Sequence, residues 1–128
     1  MDYLLDTHTV LWFFNGNNAS LSDTAIGIIQ DQQHTKFVSI ASVWEVGIKI
    51  SIGKLTFPGN TNGFVSQIQK NGFELLPIST NHIALMEQLP LIHRDPFDRL
   101  LVATAINEQM GIVSNDANIK LYPVNWIW

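Results

Sequence analysis

An α/β fold with a central parallel sheet covered by helices on both faces is the architecture this sequence predicts, and three observations carry it. Strand-like and helix-like segments alternate almost throughout, which favours that layering over a β-sandwich or a helical bundle. The 128 residues fall within the usual size of one domain, so a single domain over 1–128 is expected. Apolar residues make up 46% and charged ones only 14%, the composition of a compact globule without a disordered tail.

The first strand is Tyr3-Leu4-Leu5, an apolar run that ends at Asp6-Thr7. Val10, Leu11, Phe13 and Phe14 then recur at helical spacing as far as Asn15-Gly16. Ser22-Asp23 starts a second helix with Ile26 and Ile29 in its body, and a polar exit from Asp31 to His34 leads to a strand at Lys36-Phe37-Val38. From Ser39 the pattern Ile40, Val43, Trp44, Val46, Gly47, Ile50 is helical over about a dozen residues, with Gly53 at the C-terminal cap. Asn62 to Lys70 is a weaker helix, Phe73 to Ile78 a strand, and Ser79-Thr80 caps a short helix over Ile83 to Leu89. Asp95-Pro96 is a strong helix start, because Asp supplies the cap acceptor and Pro is preorganised for the first helical position. That helix runs to Met110 with Gly111 after it; a strand at Ile112-Val113-Ser114, a turn or short helix, and a last strand at Val124-Asn125-Trp126 complete the chain.

Charge and composition exclude several functions. A net charge of −4 with seven basic residues is too little for nucleic-acid binding through a broad basic face, so any such activity needs divalent cations or a basic partner. The absence of cysteine excludes disulfides, thiolate metal sites and a cysteine nucleophile. Asp2, Asp6 and His8 interrupt the N-terminal apolar run, and no run approaches the roughly 20 residues that cross a bilayer, so no membrane association and a cytoplasmic location are expected.

Active sites in open parallel sheets lie beyond the carboxyl ends of strands. Asp6 follows the first strand and Asp116 comes two residues after Ser114, which puts both at that rim. Glu45 and Asp98 lie on helices whose N-termini face the same rim. Each acid also has a purely structural explanation: Asp6 caps a helix, Asp116 makes an Asx-turn, Glu45 completes a capping box with Ser42 and pairs with Lys49, and Asp98 complements a helix dipole. Glu45, however, sits among Val43, Trp44 and Val46 on a helix that reads as largely buried, where a lone charge is costly. Four carboxylates within a few ångströms repel one another, and a hard divalent cation with oxygen ligands removes that penalty. Mg²⁺ or Mn²⁺ held this way supports phosphodiester hydrolysis.

The segments Leu5-Asp6-Thr7-His8, Ser42-Val43-Trp44-Glu45 with Lys49, Asp95-Pro96-Phe97-Asp98-Arg99-Leu100-Leu101 and Ser114-Asn115-Asp116 resemble, in order and spacing, the PIN-domain nucleases, and within them the VapC-like toxins of toxin-antitoxin pairs. The resemblance covers nearly the whole chain. It implies a three-layer α/β/α sandwich with a parallel sheet of about five strands in the order 3-2-1-4-5. It implies a Mg²⁺- or Mn²⁺-dependent endoribonuclease in which Asp6, Glu45, Asp98 and Asp116 are the metal-holding, catalytic acids. The partners it implies are RNA, a second copy in a homodimer, and a cognate antitoxin through which DNA is met only indirectly. Asp95 is a nearby rival to Asp98, and Ser114 stands where many relatives carry threonine.

Lys49, Arg94 and Arg99 are candidates for phosphate contact but are left outside the site, each having a solvated salt bridge as its alternative. His8 is left outside for a similar reason, and His34, His82 and His93 show no metal-ligand spacing with one another. Among Trp12, Phe13, Phe14, Trp126 and Trp128, core packing is expected for at least half, with Trp128 the one expected at the surface or an interface. Two other functional classes stand beside the nuclease. One is a Mg²⁺-binding receiver-like signalling module, which needs adjacent acids after the first strand and a phosphoacceptor aspartate after the third. The other is a PIN-like domain kept for binding without turnover.

Overall fold

A computed structural model describes residues Met1–Trp128. Its single sheet has five parallel strands: β1 Asp2–Leu5, β2 Thr35–Ser39, β3 Glu74–Leu76, β4 Gly111–Val113 and β5 Asn125–Ile127, in the order β3-β2-β1-β4-β5. Six helices accompany it: α1 Thr7–Phe14, α2 Asp23–Gln30, α3 Ile40–Ser51, α4 Asn60–Lys70, α5 Thr80–Gln88 and α6 Pro96–Glu108. The expected three-layer α/β architecture and strand order are both present.

The two-residue period of a strand divides the core. Along β1, Tyr3 and Leu5 point to one face and Leu4 to the other. Leu5 joins Val38 and Val113 beneath Val10 and Leu11 of α1, Ala25 and Ile29 of α2, and Phe64 and Ile68 of α4. Leu4 joins Ile112 beneath Leu101, Val102 and Ala105 of α6. Helix α3 contributes Val46 to the first cluster and Ala41 to the second, so it bridges the two layers and touches α1, α4 and α6.

Where element ends differ from the sequence expectation, the partner strand or close packing gives the reason. β3 stops at Leu76 because β2, its only neighbour, ends at Ser39, whose hydroxyl accepts the Ala41 N–H and caps α3; Pro77 then has no N–H to extend the ladder. Helix α4 starts at Asn60, two residues earlier than expected, behind Gly59 with φ +77. Helix α6 ends at Glu108, and Gln109 takes the left-handed turn at φ 57. Gly111 is used in β4 instead, where a Cβ would lie 2.7 Å from Ile127 Cδ1 and 2.9 Å from Tyr3 Cδ1. A short 3-10 turn at Asn18–Ser20 was not predicted, and another at Ile119–Leu121 fills the expected turn after β4.

The aromatic residues sort differently from expectation at two places. Phe13 and Phe14 pack on the first cluster, Phe14 stacking on Phe73 with centroids 6.0 Å apart. Trp128, expected at the surface or an interface, is half-buried beside Trp12, and Trp44, read as part of a buried helix, is 62% exposed. No helix is long and apolar enough to cross a membrane.

Candidate functional site

Asp6 leaves the end of β1 with its backbone N–H donating to Val113 O (3.1 Å) on β4, which fixes it at the carboxyl rim. Its Oδ1 accepts the Thr9 N–H at 2.9 Å and caps α1, so the structural explanation holds for this residue. Only 4% of its surface is exposed. Burial raises its pKa from 3.8, opposed by hydrogen bonds from Ser114 and Thr9 and by the charge of His8.

Glu45 lies in the middle of α3, and Ser39, not Ser42, is the cap, so the expected capping box is absent. The Thr7 hydroxyl donates to Glu45 Oε1 at 2.7 Å and also touches Ser42 Oγ at 2.8 Å, tying this buried acid to the residue beside Asp6. Lys49 Nζ stands 3.2 Å from Oε2, as its i,i+4 spacing suggested. Thr7 and Lys49 therefore supply the partners that a buried carboxylate requires.

Asp95 and Asp98 take different positions at the start of α6. Asp95 is the N-cap of α6, its Oδ1 accepting from Phe97 N–H (2.8 Å) and Asp98 N–H (3.4 Å). Asp98, one turn in, faces Asp116 and His93 instead. Its pKa is pushed up to about 7, first by burial, then by the charges of Asp95 and Asp6 and, less strongly, Glu45, with His93 opposing. Asp98 thus feels both Asp6 and Glu45, acids from two other elements.

Asp116 follows β4 by three residues. Its N–H donates to Ser114 Oγ (3.0 Å), its Oδ1 accepts from Asn118 N–H (2.9 Å) in an Asx-turn, and its Oδ2 is left to face inward. Asp6, Asp98 and Asp116 line one cavity of about 360 Å³, together with His8, Trp12 and Asn115. Glu45 is not on its wall and reaches the group only through its charge on Asp98.

His93, set aside in the sequence for want of histidine spacing, stands inside the acid group. Its Nε2 is 2.6 Å from Asp116 Oδ2 and 3.2 Å from Asp98 Oδ2. One ligand-capable atom from each of His93, Asp98 and Asp116 falls within 4.8 Å of the others. The available signal was its place two residues before the capping Asp95, on the loop that enters α6. His8, also set aside, is on the cavity wall. Arg99 turns away: its guanidinium donates to Met86 O and Leu89 O, both at 3.1 Å, closing the C-terminal end of α5.

The oxygen-rich wall and the raised pKa of Asp98 fit a hard divalent cation, since a positive charge there would offset the burial that chiefly raises it and the repulsion from neighbouring acids that adds to it.

A sequence model of the PIN domain matches residues 3–125. No curated protein matches the chain significantly. Among solved structures, VapBC2 from Rickettsia felis bound to a promoter DNA fragment is similar over 100% of this chain and 99% of that one, at 17% identity and a TM-score of 0.73. FitAcB from Neisseria gonorrhoeae is similar over 98% and 96%, at 16% identity and a TM-score of 0.63. The PIN-domain endonuclease Utp24 is similar over 93% and 74%, at 16% identity and a TM-score of 0.52.

Proposed function

This chain belongs to the PIN domain family, whose members are generally nucleases, and from that premise we propose that it is a divalent-metal-dependent endoribonuclease acting as the toxin of a toxin-antitoxin pair. The observation that carries the reading is the meeting of Asp6, Asp98 and Asp116, from three distant segments, on one cavity wall, with Glu45 within electrostatic reach. Asp6, Asp98 and Asp116 are the residues that would hold Mg²⁺ or Mn²⁺, while Glu45, expected from the sequence as a fourth ligand, lies off the cavity wall with its oxygens on Thr7 and Lys49 and would add its charge from there. A bound cation of this kind polarises a phosphoryl oxygen and lowers the pKa of a bound water, giving hydrolysis of a phosphodiester.

The protein's own residues set up the rest. Asp6 is held rigidly by its cap bond to Thr9 and by its strand pairing, so it offers a fixed carboxylate. Lys49 neutralises one Glu45 oxygen and Thr7 orients the other. The small basic content ceases to be an objection, because the cation supplies the positive charge that approaches phosphate.

A cognate antitoxin as partner is supported by VapBC2, seen bound to promoter DNA, and by a toxin-antitoxin complex from Klebsiella pneumoniae similar over 98% of this chain at a TM-score of 0.65. DNA is then met through the antitoxin. A homodimer in the cytoplasm completes the proposal. Exposed Trp44 and Ile83, beside Phe97, form the apolar kind of surface that self-association covers.

The test is cleavage of a labelled RNA by the purified protein with Mg²⁺, with Mn²⁺ and with EDTA. Cleavage is expected with either metal and none with EDTA. Asp6→Asn should abolish cleavage while leaving the melting temperature equal or higher, because it relieves repulsion; wild-type cleavage by that variant would remove Asp6 from the centre. Wild-type protein that binds RNA without cutting it points to the binding-only alternative, and labelling by a small phosphodonor points to the receiver-like one.

A further inference from the structure

We propose that His93 is a positioning residue that fixes the Asp98 and Asp116 carboxylates through its Nε2–H and does not itself ligate metal, an inference that rests on the metal-dependent reading of this site. Its geometry alone invites the opposite assignment, because Nε2 lies among carboxylate oxygens close enough to share an ion with them. The other ring nitrogen decides between the two. Nδ1 is 3.1 Å from the backbone nitrogen of Asp95, and that N–H donates to it. An amide N–H can only donate, so Nδ1 presents its lone pair and the ring proton is on Nε2.

With that tautomer, Nε2–H donates to Asp116 Oδ2 at 2.6 Å and has Asp98 Oδ2 at 3.2 Å. One donor therefore spans two acids from different segments, the first turn of α6 and the loop after β4. Ligation through Nε2 would require the proton to move to Nδ1, where it would meet the Asp95 N–H head-on and leave that amide without an acceptor.

The backbone that carries the ring is also held. His93 N–H donates to Tyr122 Oη (2.8 Å), and the Tyr122 hydroxyl donates to Pro90 O (2.9 Å), with Tyr122 only 3% exposed. Tyr122 thus pins the loop that carries His93 to the end of the 3-10 turn beyond Asp116. The motif around Asp95 has two separate uses: its side chain caps α6, and its backbone N–H selects the histidine tautomer.

Two measurements test this apart from turnover. Long-range ¹H–¹⁵N correlation spectra of the histidine rings should show His93 protonated at Nε2 before and after Mg²⁺ is added; transfer of the proton to Nδ1 on Mg²⁺ addition would identify a ligand and overturn the proposal. Mn²⁺ binding, followed by the electron paramagnetic resonance signal of the free ion, should weaken about 10–100-fold in His93→Ala, the usual effect of losing a hydrogen-bonding partner of a ligand. His93→Gln, whose amide N–H can still donate, should recover most of that loss, and Tyr122→Phe should weaken binding by less than His93→Ala. Unchanged affinity in His93→Ala, or equal loss in Gln and Ala variants that melt like the wild type, refutes the role of His93 alone. Wild-type protein that binds no Mn²⁺ refutes the metal-site reading beneath it.

Discussion

At the scale of single residues, the acids of the rim differ in how firmly they are held. Asp98 carries the clearest electrical consequence, with a folded-state pKa of about 7 against 3.8 in an unstructured chain. As pH rises, the unfolded chain loses this proton first, so between about 4 and 7 the folded state binds more protons and stability falls with pH. Asp6 shifts in the same direction. In EDTA, the wild type should therefore melt several degrees higher at pH 5 than at pH 7.5, and Asp98→Asn should flatten that slope. A melting temperature that rises over the same window would contradict the burial and repulsion assigned to Asp98. The capping role of Asp6 was legible from its place after an apolar run. The role of Glu45 was only half legible: Lys49 is four residues away in the chain, but Thr7 is reached through folding alone.

At the scale of elements, the start of α6 concentrates several functions in four residues. Asp95→Ala should cost about 1 kcal/mol in urea unfolding through the lost cap. The same change removes the largest neighbouring charge on Asp98, so the pH slope described above should shrink in that variant. A slope that stays the same would show that Asp95 does not raise the Asp98 pKa. Asp-Pro announced this helix clearly, because capping is a matter of adjacent residues. Its far end was less legible. Gly111 read as the residue after the helix, yet the left-handed turn falls on Gln109, because Gly111 is needed where Tyr3 and Ile127 close over β4. Gly111→Ala should destabilise by about 1–3 kcal/mol by overpacking that contact, measured by denaturant midpoint. A change within error would mean that the side chains of Ile127 and Tyr3 yield freely.

At the scale of the molecule, the sheet order β3-β2-β1-β4-β5 places β1 at the centre, between β2 and β4. The ends of β1 and β4 are therefore neighbours, and α6 delivers its first turn to the same rim. A cation bound by the resulting acids is linked to the fold as a whole. Mn²⁺ at about 100 times its dissociation constant should stabilise the wild type by roughly 2.7 kcal/mol, visible as a higher melting temperature, and should do so far less in Asp98→Asn. Equal stabilisation of both proteins would place the ion elsewhere.

The sequence by itself determined the alternation of strands and helices, the caps at Asp6, Ser22, Ser79 and Asp95, and the placing of acids next to strand and helix ends. Those features depend on neighbouring residues and on short-range periodicity, which a linear reading contains. Only the tertiary structure decided that Asp98 and not Asp95 faces Asp116, that His93 stands between them, that Glu45 is tethered to Thr7, and that Trp44 is exposed on its helix. These outcomes depend on which distant segments pack together and at what angle, and a side chain's partners across that packing are not written in its immediate neighbours.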